Sequence, residues 1–133
     1  VNLKIRIIDS SQFQNRIQTF DFDAIIFQYY MSLSPGNEQS IYWGSWAADQ
    51  IGSRNYAGIK HKAIDEVIQK ITNAKSRINL TEYTRILDRL LRSGKWFIPL
   101  FHDPLHRVAH QKNISIPEEI PLYGFNPWTA WEK

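Results

Sequence analysis

Apolar and polar residues follow two different periods within the first thirty residues of the chain. Residues 3–8 alternate at period two, which predicts a half-buried strand, and residues 24–30 form a short branched and aromatic run typical of a buried strand. Between them, Ser11 and Gln14 are spaced as a capping box that opens a short amphipathic helix. A strand, a short helix and a second strand predict a βαβ unit with parallel strands, so the expected fold class is α/β.

Two longer amphipathic helices follow, each with a single apolar stripe. Asn79 and Glu82 are spaced as a capping pair for the second of them, and Gly94 is placed to end it. Residues 96–102 then favour a further strand, in which Pro99 is suited to an edge or a bulge. The pattern predicts a small mixed sheet near residues 3–8, 24–30 and 97–102, covered by helices near residues 63–74 and 79–93.

Residues 31–58 carry little periodicity, apart from a short helix that is possible near residues 39–43. A segment of that length inside a compact domain is usually functional. It follows the carboxyl end of a predicted strand, where ligands bind in open α/β sheets, and ligand pockets are mostly apolar or aromatic. For Trp43 and Trp46, two interpretations stay open: core side chains or the wall of a ligand site. Trp96 and Phe97 are expected in the core.

Composition narrows the class of protein further. The 133 residues fit one globular domain, with 43% hydrophobic and 22% charged residues. The absence of cysteine excludes disulfides and cysteine-based metal sites. A net charge of +3, evenly spread, argues against nucleic-acid binding. The longest unbroken apolar run, Ala24 to Phe27, is too short to span a membrane.

Catalytic and metal-binding patterns are weak. His102, His106 and His110 are spaced four apart, but Pro104 interrupts the helix that would align them, and no carboxylate has the spacing of a zinc protease. No Gly-x-Ser-x-Gly nucleophile motif is present. We therefore expect no catalytic residue, metal or cofactor. Two alternatives stay open: a hydrolase or metal-dependent enzyme lobe that uses His102, Asp103 and His106, and a protein-interaction domain with an aromatic loop.

Several stretches carry a resemblance to a known family. The chain resembles the C-terminal lobe of family-5 extracellular solute-binding proteins at residues 19–27 and at residues 55–60, which lead into 63–68. These proteins are the oligopeptide and dipeptide receptors of ABC importers. Within that family, the long loop at residues 31–58 is similar to the YejA-type subgroup. This subgroup is linked to uptake of oligopeptides and microcin C. The loop motifs concerned are Ser-Pro-Gly-Asn-Glu-Gln at 34–39, Tyr-Trp-Gly-Ser at 42–45 and Ala-Asp-Gln-Ile-Gly-Ser-Arg-Asn at 48–55.

The resemblance implies a periplasmic-binding-protein-like (type II) lobe that is part of a longer protein. It implies a C-terminal ligand-binding lobe at residues 1–103 and a tail at residues 104–133 that returns towards a first lobe. It also implies an oligopeptide ligand, a periplasmic location, an ABC permease and ATPase as partners, and no catalysis. Family members close two lobes around the peptide by a hinge motion.

By the same resemblance, Tyr30, Met31 and Ser32 lie where the family holds peptide backbone. Some family members place an aspartate at the position of Ser32 to pair with the ligand's amino terminus, so Asp49, Glu38 or the other lobe would have to supply that charge. The ligand-binding residues expected from these arguments are Tyr29, Tyr30, Met31, Ser32, Asn37, Trp43, Trp46 and Asp49.

If this chain is one half of a ligand cleft, its aromatic residues lack the cover that the other lobe or the peptide would provide. We expect Tyr29, Tyr30, Trp43 and Trp46 to form an exposed apolar surface that favours self-association. We also expect weak or no peptide affinity, because a one-sided site leaves the ligand half solvated.

Overall fold

The computed structural model describes residues 2–101, 105, 107–122 and 124–132, and the chain divides into two compact units, Val1–Ile98 and Pro99–Lys133. Helices dominate the described part of the first unit, and a small sheet lies in the second. Among the described residues, no helix has both the length and the apolar composition needed to cross a bilayer. The first unit contains α1 (Ser10–Gln18), α2 (Glu38–Trp43), a 3₁₀ helix (Ser45–Asp49), α3 (Lys62–Thr72) and α4 (Arg77–Ser93).

Helices α3 and α4 pack against each other along the apolar stripes that the sequence predicts. The stripe of α3 is buried, and α4 contributes the buried Leu87. The start of α4 differs from the prediction, because its N-cap is Ser76, whose Oγ accepts a hydrogen bond from the Asn79 N–H at 3.2 Å. The proposed capping pair of Asn79 and Glu82 is therefore wrong. Gly94 ends α4 as predicted, with its N–H donating to the Leu90 carbonyl at 3.1 Å.

Helix α1 forms where the sequence predicts it, but a different residue caps it. The N-cap is Asp9, whose Oδ1 accepts from the Gln12 N–H at 2.9 Å. Ser11 lies inside the first turn, so the predicted capping box of Ser11 and Gln14 is wrong.

The three predicted strands are not formed. Within the part of the chain that the structure describes, residues 3–8, 24–30 and 97–101 belong to no strand, so the βαβ unit and its parallel sheet are wrong for this structure; residue 102 lies outside the described residues. A strand exists only when its backbone groups pair with a neighbouring strand, and no described segment pairs with these three. The residue pattern of these segments suits a strand, but no described segment lies beside them as a pairing strand.

The sheet of the second unit is a short antiparallel pair. Strand β1 (Ile114–Ser115) pairs with β2 (Trp131–Glu132), in a register that places Ile114 opposite Glu132. The side chain of Asn113 donates from Nδ2 to Glu132 Oε1 at 3.2 Å. This pairing had no signal in the sequence, because each strand has only two residues. The described fold is therefore mixed, with helices and one small sheet.

The core of the first unit lies among α2, α3, α4 and the segment between α2 and α3. Ile59 and Ile64 are fully buried there. Trp96 and Phe97 pack against it half-buried, as predicted for core residues. The segment between α2 and α3 thus supplies part of the hydrophobic core.

Candidate functional site

The loop that carries most of the candidate residues is held by a buried asparagine. Asn55 is fully buried, and its Nδ2 donates to the carbonyls of Gly44 at 3.0 Å and Ile59 at 2.9 Å. Its Oδ1 accepts from the Ile59 N–H at 2.9 Å. All three of these side-chain hydrogen bonds join Asn55 to backbone groups, so one side chain fixes the end of α2 against the turn at residues 55–59. Gly58 has φ of 61° in that turn, a conformation that suits glycine.

A second interlock joins the 3₁₀ helix to α3. The carboxylate of Asp65 accepts from the Ser45 N–H at 2.8 Å and from the Ser45 hydroxyl at 2.6 Å. The same hydroxyl oxygen accepts from the N–H of His61, the residue before α3, at 3.0 Å. Ser45 and Asp65 therefore satisfy amide groups at the starts of two helices at once. Because Trp46 directly follows Ser45 in the chain, these hydrogen bonds also hold the backbone of Trp46 in place.

Aromatic side chains gather around Tyr29. Its ring centroid lies 4.8 Å from Trp43, 5.5 Å from Tyr42 and 5.0 Å from Phe27. Such centroid distances are typical of favourable aromatic pairs. We call the set the aromatic cluster, and its members are Phe27, Tyr29, Tyr42, Trp43, Tyr56 and Phe97.

The aromatic cluster is buried on one side and open on the other. Tyr42 and Trp43 are buried, Tyr29 is half-buried, and Phe27 is 39% exposed. The structure therefore decides between the two interpretations of Trp43, which is a core side chain. The prediction of an exposed patch that includes Trp43 is wrong for that residue, because α2 turns its indole towards the core.

The phenols of Tyr29 and Tyr56 stay protonated at neutral pH. Burial raises the pKa of Tyr29 far above its ordinary value, with smaller contributions from the neighbouring Tyr56 and Tyr42. Burial also raises the pKa of Tyr56. An uncharged aromatic wall suits contact with apolar groups of a ligand and does not suit proton transfer.

A buried glutamine links the aromatic cluster to Met31. Trp43 donates from Nε1 to Gln39 Oε1 at 3.0 Å, and Gln39 Nε2 lies 3.7 Å from the sulfur of Met31. Gln39 Nε2 also donates to Glu38 Oε1 at 3.2 Å. The structure thus joins three of the predicted site residues, Tyr29, Met31 and Trp43. Gln39 was not among the predictions, and its only signal was its spacing of four from Trp43 on a short helix.

Glu38 is bound to its own loop. Its Oε1 accepts from the Gly36 N–H at 3.0 Å. Although partial burial by itself would raise the pKa of Glu38, hydrogen bonds from the backbone N–H groups of Gly36 and Glu38 and from Gln39 outweigh burial and lower it. The charge of Glu38 therefore stabilises the start of α2.

Tyr30, Met31 and Trp46 are the candidate residues with large exposed apolar side chains. Tyr30 is 78% exposed, Met31 43% and Trp46 56%. The indole of Trp46 is fixed, because its Nε1 donates to Ser40 Oγ at 2.7 Å. The Tyr30 hydroxyl donates to Gln28 Oε1 at 3.2 Å. These three side chains offer apolar surface to a ligand.

The polar candidates have partners of their own. Asp49 forms an exposed ion pair with Lys60, whose Nζ lies 2.7 Å from Asp49 Oδ2. Ser32 donates from Oγ to the Ser34 carbonyl at 2.9 Å. Asn37 is the N-cap residue of α2, and its side chain makes no capping hydrogen bond. The structure does not bring these three side chains together with the aromatic cluster through any hydrogen bond that it records.

The enzymatic alternative rests on His102, Asp103 and His106, which lie outside the described residues. Among the residues that are described, no group of three or more histidine, aspartate and glutamate side chains could hold a metal ion. The described ring of His110 is exposed, and its Nδ1 lies 3.0 Å from the carbonyl oxygen of Gln111.

Comparison with known proteins finds relatives that match nearly the whole chain. No protein-family model matches the chain. A putative binding protein of Brucella suis and the probable peptide-binding protein YejA of Agrobacterium fabrum are each 40% identical to it over 131 residues, 98% of this chain and 21% of each relative. The peptidoglycan-binding protein YepA of Agrobacterium fabrum is 39% identical over 132 residues, 99% of this chain and 22% of that relative.

The chain therefore spans about a fifth of the length of the curated relatives it matches, at 21%. Its resemblance to YejA-type binding proteins is confirmed along nearly its whole length. These three names are those of binding proteins, and none is that of an enzyme.

Proposed function

We propose that this chain is part of a periplasmic solute-binding protein that binds peptides for an ABC importer. The observation that carries the proposal is its 40% identity, over 98% of its residues, to a relative named as a probable peptide-binding protein. A permease and an ATPase in the membrane are its proposed partners, and oligopeptides, including peptides of the microcin C type, its proposed ligands. The chain itself has no catalytic role in this proposal.

The proposed ligand-binding surface combines the open side of the aromatic cluster with three exposed side chains. Tyr30, Met31 and Trp46 contact the ligand directly, because they are exposed. Tyr29, which is half-buried, and Trp43, which is buried, pack against each other beneath this surface in the proposal. Main-chain groups of residues 30–32 hold the peptide backbone, as in other extended-peptide sites. The complete proposed set is Tyr29, Tyr30, Met31, Ser32, Asn37, Trp43, Trp46 and Asp49.

Recognition of the ligand's amino terminus does not depend on Asp49 or Glu38 in this proposal. Asp49 is paired with Lys60, and Glu38 is engaged by Gly36 and Gln39. Moving either carboxylate to a ligand would break contacts that the chain already makes. We therefore assign the amino terminus to the remainder of the longer protein.

The architecture that accompanies this function is a type II binding-protein lobe. Residues 1–103 form the proposed C-terminal lobe and residues 104–133 the proposed tail that returns towards a first lobe. Closure of the two lobes about a hinge would bury the ligand against Tyr30 and Trp46. For that reason the chain alone is expected to bind peptides weakly or not at all.

Peptidoglycan fragments are a second candidate ligand. The observation that favours them is the 39% identity to a relative named as a peptidoglycan-binding protein. Because such fragments carry a short peptide on a sugar, the same surface would contact their peptide part.

The test uses a chimeric receptor, in which this chain replaces the homologous segment of YejA from Agrobacterium fabrum. Isothermal titration with a tripeptide, a disaccharide-linked peptide and zinc chloride separates the candidates. We expect tripeptide binding at micromolar strength or better, a free energy of about −8 kcal/mol. Binding of the disaccharide-linked peptide alone would support the second candidate. Binding of zinc without either peptide would contradict both and favour a metal-dependent enzyme.

Self-association of the isolated chain is tested separately by light scattering. Exposed apolar side chains such as Tyr30 and Trp46 would be covered in a dimer, at about 25 cal/mol per Å² buried. We expect the apparent mass to rise with concentration. A monomer that binds a tripeptide at micromolar strength would show that this chain is a complete site by itself.

A further inference from the structure

A groove lies between the segment after Met31 and the first half of α4. It has a volume of about 210 Å³ and is lined by Leu33, Pro35 and five residues of α4, among them Leu80. The eight residues of the proposed ligand-binding set all lie in the described part of the chain, and none of them lines this groove. The proposed function therefore leaves the groove without a role.

Arg77 fixes one positive charge at the groove. Its Nη2 donates to the Leu33 carbonyl at 3.2 Å, and its Nη1 donates to Ser34 Oγ at 3.4 Å. A guanidinium group carries five N–H donors, so these two hydrogen bonds leave donors for a ligand. The contact that attaches the loop to α4 thus also holds a cation beside the groove.

Arg85 supplies a second positive charge two turns further along α4. Its Nη1 lies 3.8 Å from Glu82 Oε1, and the two side chains are 69% and 62% exposed. An exposed ion pair is worth little, so Glu82 does not prevent Arg85 from pairing with a ligand. The described lining of the groove includes two arginines and no acidic residue, which favours an anionic occupant.

The remaining lining is partly apolar. Leu33 is 45% exposed and Leu80 is half-buried, and Pro35 lies beside them in the groove. Pockets for whole small molecules usually have volumes of about 300–1,000 Å³. A groove of about 210 Å³ is therefore better suited to one apolar side chain of a longer partner.

We propose that this groove binds an extended acidic segment of a partner protein, in which two carboxylates flank one apolar side chain. The carboxylates pair with Arg77 and Arg85, because charge-assisted hydrogen bonds from guanidinium groups to carboxylates are strong and directional. The apolar side chain enters the groove against Leu33 and Leu80. We call the groove and its two arginines the acidic-segment site.

The spacing of the arginines specifies the segment. Arg77 and Arg85 are eight residues apart on α4, which is about 12 Å along the helix axis. In an extended chain, the first and fifth residues are about 13 Å apart, and they share one face with the third. The expected segment therefore has acidic residues at its first and fifth positions and an apolar residue at its third.

An anionic membrane would also attract α4, which carries four arginines and two acidic residues. The structure favours a protein segment over a membrane, because a lipid surface offers no side chain to fill a groove with an apolar lining. A membrane would also engage Arg89 and Arg92, which lie outside the groove, as strongly as Arg85.

Titration with blocked peptides, followed by NMR of the labelled chain, tests the proposal. The probe is the acetylated and amidated pentapeptide Glu-Ser-Leu-Ser-Glu, and the control is Glu-Glu-Leu-Ser-Ser, which has the same composition and the wrong spacing. We expect the probe to bind with a dissociation constant below about 1 mM and the control to bind at least about fivefold more weakly. Amide shifts should be confined to residues 33–35 and 77–85. The same titration of the chimeric receptor keeps the test decisive if the isolated chain does not fold.

Two arginines of α4 provide a matched pair of substitutions. Arg85 and Arg92 are both exposed, at 69% and 76%, and each lies 3.8 Å from an acidic side chain of the same helix. Arg85→Gln and Arg92→Gln therefore remove the same charge and the same kind of ion pair, but Arg92 is not part of the groove lining. We expect Arg85→Gln to weaken binding of the probe about tenfold and Arg92→Gln to leave it unchanged.

A second pair tests the apolar contact. Leu33 and Ile41 are almost equally exposed, at 45% and 43%, and Ile41 lies on α2, outside the groove lining. Leu33→Ala should weaken binding of the probe several-fold, whereas Ile41→Ala should have no effect.

The acidic-segment site is independent of the proposed peptide-binding surface. In the chimeric receptor, Arg85→Gln should leave tripeptide binding unchanged, and Trp46→Ala should leave binding of the blocked probe unchanged. A receptor that binds the probe and no tripeptide would contradict the proposed function alone. A receptor that binds tripeptides and not the probe would contradict the acidic-segment site alone.

Three further results would overturn the proposal. Equal binding of the probe and the control would show attraction between charges without a defined site. Equal effects of Arg85→Gln and Arg92→Gln would show that the groove takes no part in binding. Sedimentation of the chain with vesicles of phosphatidylglycerol, without any binding of the probe, would assign the arginines of α4 to a membrane.

Discussion

Asn55 pairs with both backbone polar groups of Ile59, accepting from its N–H at 2.9 Å and donating to its carbonyl at 2.9 Å. An amide side chain thus makes the pair of hydrogen bonds that a neighbouring strand would otherwise provide. Both residues are fully buried, so water cannot replace either bond. This pairing allows an aperiodic segment to enter the core and to position the residues of the candidate site.

The substitution Asn55→Asp should therefore be severe. An aspartate of the same shape would place a carboxylate against the carbonyls of Gly44 and Ile59, where Asn55 donates now. We expect a loss of about 3 kcal/mol or more in the free energy of unfolding, measured by urea denaturation. Asn73→Asp is the control, because Asn73 is exposed and also donates to a carbonyl, that of Gln69. A loss below about 1 kcal/mol at Asn55 would contradict the account of this loop.

The turn after α4 requires a residue without a Cβ atom at position 94, which is Gly94. Its φ of −74° is available to any residue, but a Cβ atom there would overlap the indole of Trp96. We expect Gly94→Ala to cost about 1–3 kcal/mol through displacement of Trp96, although alanine usually stabilises such positions. A double-mutant cycle with Trp96→Ala measures the effect. The cost of Gly94→Ala should vanish in the Trp96→Ala background, and a cost that persists there would refute the steric explanation.

Alkaline pH should destabilise the aromatic cluster. Because burial raises the pKa of Tyr29 above its ordinary value of 10.0, the folded protein retains this proton more tightly than the unfolded chain. The resulting stabilisation is complete below that ordinary value and is lost as the pH rises above it. Melting temperatures between pH 8 and pH 11 should fall less for Tyr29→Phe than for the wild type.

Tyr30→Phe is the matched control, since the side chain of Tyr30 is 78% exposed. It should leave the alkaline decrease in melting temperature unchanged. Equal effects of the two substitutions would show that the hydroxyl of Tyr29 is not buried in solution.

Two tryptophans of the same loop should respond differently to substitution. Trp43 is 5% exposed and donates to Gln39, whereas Trp46 is 56% exposed. Urea denaturation should show a loss of about 3–5 kcal/mol for Trp43→Ala and of at most about 1 kcal/mol for Trp46→Ala. The reverse order would contradict the burial of Trp43 in the core and the exposure of Trp46 on the 3₁₀ helix.

The sequence predicted the helices better than the strands, for a physical reason. The apolar stripes of α3 and α4 face each other, so each helix satisfies its own backbone and finds its packing partner inside the chain. Residues 3–8 and 24–30 cannot satisfy their backbones alone, and a strand pattern predicts pairing only where a partner is present. The two N-caps were misplaced by two and by three residues, because Asp9 and Ser76 compete with equally good cap residues nearby, Ser11 and Asn79.

The candidate site was predictable in its residue types but not in their burial. Aromatic residues beside a long loop suggested a ligand surface, and sequence alone left Trp43 and Trp46 equivalent. The hydrogen bonds of Gln39 and Ser40 separate them, because one draws Trp43 into the core and the other holds Trp46 at the surface. Asn55 carried no periodic signal, since its partners are backbone groups rather than side chains.

The most direct test of peptide binding at this surface is calorimetric titration of the chimeric receptor with a tripeptide, comparing Trp46→Ala with Trp131→Ala. The two indoles are almost equally exposed, at 56% and 54%, but Trp131 lies on β2 and outside the proposed surface. We predict that Trp46→Ala weakens tripeptide binding at least about tenfold, or 1.4 kcal/mol, and that Trp131→Ala leaves it unchanged. Equal affinities of the two variants, or no binding by the unsubstituted receptor, would contradict the account.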